Sequence, residues 1–208
     1  REAGNLDAGR VHANDFAATL ELPFADCPIP CARIPAAFAM RLPPDVSVTA
    51  ASPVADDFHP RYTVLTKEYV YQILVSPVPD PFLYGRVWHY PKKLLPDAAV
   101  RMNAVAAELV GRQDFASFMA AGSKITDTVR TVSDCRVQRT GDLITLTITA
   151  DGFLYNMVRI IAGTLLLAGA GKLDRVGMRR IIDAKDRAAA GATAPPEGLY
   201  LNRVTYHE

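Results

Sequence analysis

Apolar and polar positions along the chain change period several times, and each change predicts an element. Residues 11–22 carry Phe16, Ala18, Leu20 and Leu22 on alternate positions, the pattern of a half-buried strand. Residues 31–42 place Ile34, Ala37, Phe38 and Leu42 at helical spacing before Pro43-Pro44 ends the run. A short strand is predicted over 46–54 and a long one over 62–75, with Tyr69, Tyr71, Ile73 and Val75 on one face. Pro77, Pro79 and Pro81 open an irregular stretch to Pro91. Residues 96–111 read as a helix with Ala98, Met102, Val105, Ala106 and Leu109 on its apolar stripe. Strands over 129–138 and 143–150 flank Arg139-Thr140-Gly141-Asp142 and predict a hairpin. In its second arm Ile144, Leu146 and Ile148 alternate with Thr145, Thr147 and Thr149. A strongly apolar helix over 153–168 is stopped by Gly169 and Gly171. An amphipathic helix over 174–188 starts at Asp174 as N-cap, and a last strand covers 199–206.

The hairpin argues against a purely parallel, doubly wound sheet. The order predicts an α+β fold: a largely antiparallel mixed sheet with helices packed on one side. Two halves are expected, an N-terminal α+β half over 1–95 and a C-terminal α+β half over 96–208.

Composition narrows the chemistry. The chain has 208 residues, half of them hydrophobic, enough apolar surface to fold. Lys and Arg number 23 against 22 acids, so any nucleic acid must be met by a local basic face rather than by bulk charge. The cysteines, Cys27, Cys31 and Cys135, are three, which points to a reducing, cytoplasmic setting rather than a disulfide scaffold. Cys27 and Cys31 lack the further ligands of a structural zinc and read as packing thiols. Glycine-rich phosphate loops and a nucleophile elbow do not occur, which leaves nucleotide-driven and serine-hydrolase chemistry without support. The chain starts at Arg1 without a charged-then-apolar leader, and no signal peptide is expected.

Arg159 is the only charged residue between Gly152 and Gly171. A guanidinium keeps its proton, so burying it calls for an anion or hydrogen-bond acceptors. Two other readings stand beside that one. Arg159 could lie at the rim of the apolar face and reach water, or the run, about 20 residues long, could span a membrane. Asp7 in Leu6-Asp7-Ala8-Gly9 reads either as an accessible carboxylate on a tight turn or as an ordinary turn residue. Tyr69 reads either as a cross-strand packing residue or as a stacking surface. Around the last helix, Lys172, Arg175, Arg179, Arg180, Lys185 and Arg187 form a basic cluster, either a solvated face or an RNA-backbone surface.

These segments together resemble a known family, the TruA-type tRNA pseudouridine synthases. The resemblance is carried by Gly152-Phe153-Leu154-Tyr155-Asn156-Met157-Val158-Arg159, by Gly163-Thr164-Leu165-Leu166, by Gly171-Lys172-Leu173, by Ala184-Lys185-Asp186-Arg187, and by Thr193-Ala194-Pro195 through Gly198-Leu199-Tyr200-Leu201. Upstream, Asp57-Phe58-His59-Pro60-Arg61-Tyr62, Lys67-Glu68-Tyr69-Val70-Tyr71 and Asp114-Phe115-Ala116-Ser117-Phe118 also match. The similarity runs from about Asp7 to Tyr206. The catalytic turn departs from the family's Gly-Arg-Thr-Asp-Ala-Gly: Asn5-Leu6 replace Arg-Thr, and Arg10 is extra. The family's opening strand–helix–strand unit does not precede the turn here, and residues upstream are expected to be missing.

The resemblance implies isomerisation of uridine to pseudouridine at positions 38–40 of the tRNA anticodon stem-loop, by a homodimer, without cofactor, metal or membrane. Asp7 would be the nucleophile, Arg159 its ion-pair partner, and Tyr69 the residue that stacks on the target base and assists proton removal at C5. Arg10, His12, Arg61, Lys67 and Phe115 would contact the RNA. Two alternatives remain: a non-catalytic RNA-binding relative of the same fold, suggested by the altered turn, and an aspartate-dependent nucleosidase, which needs a second carboxylate as acid.

Overall fold

The computed structural model describes residues 11–20 and 29–207. The chain divides into two compact units, one within Ala17–Thr63 and the other comprising the described residues of 11–16 with Val64 onward. That division does not fall at 95/96, because the strand that follows Thr63 pairs with strands from the far end of the chain.

In the smaller unit, a 3₁₀ turn at Cys31–Arg33 leads into helix α1, Ile34–Ala39, which ends before Pro43-Pro44 as the sequence predicts. Residues 46–54 form no strand, contrary to expectation.

The larger unit is built on a seven-stranded sheet of β1 (His12–Ala13), β2 (Val64–Val75), β3 (Trp88–Tyr90), β4 (Gly111–Asp114), β5 (Val129–Thr140), β6 (Leu143–Ala150) and β7 (Leu199–Tyr206). Its order is β1-β7-β2-β6-β5-β4. The β2–β6, β2–β7, β4–β5 and β5–β6 pairs are antiparallel, while β1–β7 and β2–β3 are parallel. One edge of β2 is shared: β7 takes Val64–Tyr71 and β3 takes Ile73–Val75. The hairpin turns at Gly141-Asp142, with Gly141 at φ 59°. Both its arms are where the pattern put them, except that β5 runs two residues further.

Helices α2 (Ala98–Ala106), α3 (Met157–Gly169) and α4 (Arg175–Ala184) share one core with the sheet. Tyr71 and Ile73 from β2, Ile144, Leu146 and Ile148 from β6, and Cys135 and Val137 from β5 meet Met102, Ile160, Ile161, Leu165, Met178 and Ile182 there. A bulge between Val132 and Asp134 resets the alternation, so that Val132 and Cys135 both face the helices. The fold is the α+β arrangement expected. The long apolar run is a 13-residue core helix, and among the described residues no helix is long and apolar enough to cross a membrane.

Element boundaries moved where single residues overrode periodicity. The expected 11–22 strand shrinks to two residues within the described part. Asn14 and Asp15 turn both their amides onto the Leu201 carbonyl (2.8 and 3.4 Å), and the Asp15 carboxylate accepts from Val204 N (2.9 Å). The 96–111 helix starts at Ala98, tightens to 3₁₀ at Ala107–Leu109 and is ended by Gly111 at φ 112°, where the unforeseen β4 begins. The 153–168 helix begins only after Asn156, which is left-handed. Asp174 is the N-cap, its side chain accepting from Gly177 N at 2.7 Å, but α4 stops at Ala184 because Lys185 is left-handed too.

Candidate active site

Arg159 lies on the first turn of α3, half-buried. Its Nε donates to Ala194 O at 2.7 Å and its Nη1 to Asn156 Oδ1 at 2.9 Å. Among the described residues, two neutral acceptors therefore hold the guanidinium and no carboxylate forms a salt bridge with it. Of its five N–H groups, three remain, both protons on Nη2 among them.

A strap over 191–195 fixes this arrangement. Gly191 N donates to Thr164 Oγ1 at 2.9 Å, while the same hydroxyl donates to Ile160 O at 2.7 Å. Ala194 N donates to the Arg159 carbonyl at 3.1 Å, so backbone and side chain of Arg159 both bond Ala194. Arg187 Nη2 reaches Thr193 Oγ1 at 3.0 Å. Tyr71, without accessible surface, donates its hydroxyl to Pro195 O at 2.6 Å. The strap approaches α3 so closely that a Cβ on Gly163 would overlap the Ala192 carbonyl oxygen, and one on Gly191 would lie 2.8 Å from Thr164 Cα. Burial holds the Tyr71 phenol far above its ordinary pKa, opposed by the positive charge of Arg159.

Tyr69 stands two residues before Tyr71 on the same side of β2. It is half-buried, and its ring meets Phe153 edge-on at 4.9 Å between centroids. Burial raises its pKa, so its hydroxyl is protonated at neutral pH. Beside it β7 carries a bulge: Glu68 pairs with Arg203 but Tyr69 with Leu201, leaving Asn202 extra. Asn202 bridges Asn14 (3.0 Å) and Glu68 (2.7 Å) through its amide. Bulges of this kind re-aim the neighbouring side chains of a strand.

The other predicted residues fall in different places. Asp7 and Arg10 lie outside the described residues, as does Cys27. His12 is half-buried; it stacks on Tyr200 at 4.6 Å and its Nε2 bonds Gly85 O at 2.9 Å. Lys67 is on β2, opposite Ala150 and on the side of Tyr69. Arg61 is exposed in the smaller unit, its guanidinium 5.9 Å from the Tyr62 ring centre. Phe115 has no accessible surface and packs against Phe118 at 6.1 Å. A residue with no exposed atoms offers RNA nothing to touch, so Phe115 is a core residue. Cys135 is buried, as a packing thiol should be.

The basic cluster on α4 is largely engaged. Met178, Ile181 and Ile182 face the core, and Arg175 and Arg179 project from the other side as helical spacing requires. Both grip Glu108, at 2.6 and 2.8 Å, and hold its carboxyl below the ordinary range. Lys185 pairs with Asp114 at 3.0 Å. A concavity of about 520 Å³ opens among Leu83, Trp88, His89, Pro195 and Glu197; neither Tyr69 nor Arg159 lines it.

Sequence reasoning singled out Arg159 and Tyr69 but not their supports. Asn156 and Thr164 were visible as polar residues in an apolar run, and that was their signal. Ala194, which acts through its peptide group, gave none.

A mixed, mostly antiparallel sheet with helices on one side is the fold that the resemblance to pseudouridine synthases implies. Comparison with known proteins agrees: a profile described as tRNA pseudouridine synthase matches residues 105–207. Three relatives, each named tRNA pseudouridine synthase A, come from a Thermoanaerobacter strain, Bacillus subtilis and Methylobacterium nodulans. They are 42%, 41% and 41% identical to this chain over 86%, 98% and 99% of its length and 72%, 80% and 79% of theirs. The chain belongs to the tRNA pseudouridine synthase A family.

Proposed function

We propose that this chain isomerises uridine to pseudouridine in tRNA, at positions 38–40 of the anticodon stem-loop. Asp7 is the nucleophile, Arg159 its ion-pair partner and Tyr69 the stacking surface for the target base. The observation that carries the reading is the guanidinium of Arg159, half-buried and tethered by two neutral acceptors, with three N–H groups that bond nothing among the described residues. Val11 packs against the same core as α3. Asp7 precedes it by four residues, a reach of at most about 14 Å.

In this mechanism the target uridine leaves its stack and meets the Tyr69 ring, whose other neighbour is Phe153. Base–aromatic stacking offsets roughly 1–3 kcal/mol of the cost of unstacking. Arg159 keeps Asp7 ionised and oriented for attack. The Asp7 carboxylate bonds to C1′ as the N1–C1′ bond breaks, the detached base turns, C5 bonds to C1′ and expels the carboxylate, and the C5 proton leaves to solvent while N1 takes one up. Atoms and electrons then balance, because the product is an isomer of the substrate, and the reaction draws on no cofactor or metal. The RNA stem is read through its backbone and shape, with Arg10, His12, Arg61 and Lys67 as candidate contacts. The family resemblance further supports a homodimer working in the cytoplasm.

The test is tritium release from C5-labelled uridine in tRNA. Release by the wild-type protein, abolished in Asp7→Asn and reduced at least a hundredfold in Arg159→Lys, is the expected result. A lysine supplies charge but not the planar fork. Tight tRNA binding without release would make the chain a non-catalytic RNA binder, and free uracil would make it a nucleosidase.

A further inference from the structure

Asn156 begins α3 in the left-handed region, at φ 58° and ψ 13°. Among the described residues only Lys185 shares a positive φ without being glycine. Asparagine tolerates this conformation better than most L-residues, yet it is uncommon and is held only where its surroundings impose it. An asparagine at a helix N-terminus ordinarily turns its Oδ1 onto an amide of the first turn. Asn156 does not: its side chain makes no capping bond, and its Oδ1 accepts from Arg159 Nη1 instead. Its carbonyl still accepts from Ile160 N at 3.0 Å, so the helix starts normally. The side chain has been diverted from the helix to the arginine.

We propose that Asn156 is a positioning residue for Arg159: its left-handed backbone aims the amide oxygen at Nη1 while Ala194 O takes Nε, and this two-point grip fixes the guanidinium plane for the incoming carboxylate. The proposal rests on the reading of Arg159 given above. An arginine side chain has much rotamer freedom to lose, and a grip made before the substrate arrives removes that loss from the chemical step. Both acceptors are neutral, so orientation is gained without cancelling the charge that Asp7 requires.

Two substitutions separate this role from a merely structural one. Asn156→Gly keeps the left-handed backbone without strain and removes the acceptor. Asn156→Asp keeps shape and capping ability but sets a carboxylate against Nη1, in competition with Asp7. Circular dichroism and thermal melts establish that both fold, and single- and multiple-turnover tritium release then gives kcat and KM. The expected result is a kcat at least tenfold lower in both variants, with KM for tRNA within twofold of wild type. In an Arg159→Lys background, the Asn156→Gly effect shrinks to under twofold, because the two residues act as a unit. Wild-type kcat in either variant, a change confined to KM, or a full additional loss on top of Arg159→Lys would overturn the proposal. Wild-type turnover by Arg159→Lys alone would instead refute the reading of Arg159, and the positioning role with it.

Discussion

Gly163→Ala tests whether close backbone contact holds the strap to α3. A Cβ at this position would overlap the Ala192 carbonyl oxygen and lie 3.1 Å from its carbon and 3.7 Å from Ala194 N. These are backbone atoms and cannot swing aside, so the strap must lift. Lifting it strains three hydrogen bonds: Gly191 N to Thr164 Oγ1, Ala194 N to Arg159 O, and Arg159 Nε to Ala194 O. At about 0.5–1.5 kcal/mol each, their loss costs roughly 2–4 kcal/mol. Alanine's helix propensity returns about 1 kcal/mol, for a net destabilisation of about 1–3 kcal/mol. For a chain of this size that lowers Tm by roughly 3–10 °C. Gly177→Ala in α4 is the matched control. There the added carbon meets the end of the Leu173 side chain at 2.8 Å, which can rotate away, so stability should hold or rise by a few tenths of a kcal/mol. Thermal and urea unfolding of both variants measures the contrast. If Gly163→Ala melts at or above the wild-type temperature, the strap is not held by close approach and the reasoning fails.

Ser117 is fully buried, donating to Ile181 O at 2.6 Å and accepting from Asp186 N at 3.0 Å; Ser117→Ala should cost about 1–3 kcal/mol in urea unfolding, because both partners lose their bond in the interior. Asp114 is held below the ordinary carboxylate range, first by the Thr128 hydroxyl and also by Lys185 and Ala116 N. A depressed folded-state pKa gives stability that is present above the unfolded value near 4 and lost as pH falls below it, so the urea midpoint should drop between about pH 4 and 2, and less steeply in Asp114→Asn. Burial pushes the Cys135 thiol up to about 12, so it should resist a thiol reagent at pH 8 in the native protein and react on unfolding; labelling followed by peptide mass mapping reads this directly.

Much of the larger unit could be read from period alone. The β5–β6 hairpin, β7, the core face of β2 and the buried stripe of α2 follow from alternation and helical spacing, because burial imposes those patterns on the sequence. Boundaries escaped where one residue's backbone outweighed its neighbours' periodicity, as Asn156, Lys185 and Gly111 did. β4 was invisible because Gly-Arg-Gln-Asp has no strand-like pattern; it exists through pairing with β5. In the site, Arg159 stood out because a charge in an apolar run demands explanation. Phe115 misled because a family motif does not separate residues that touch substrate from residues that carry the core beneath it. Nothing in composition pointed to Ala194, since a peptide carbonyl leaves no mark in the side-chain alphabet.

The grip on Arg159 has an electrical meaning. The two groups that hold it are dipoles, not counter-ions. A dipole can aim a monopole without neutralising it, and its own pull fades faster with distance. The grip itself thus takes away the cation's freedom to wander without cancelling its charge, so whatever anion comes within range meets an electrode already pointed at it.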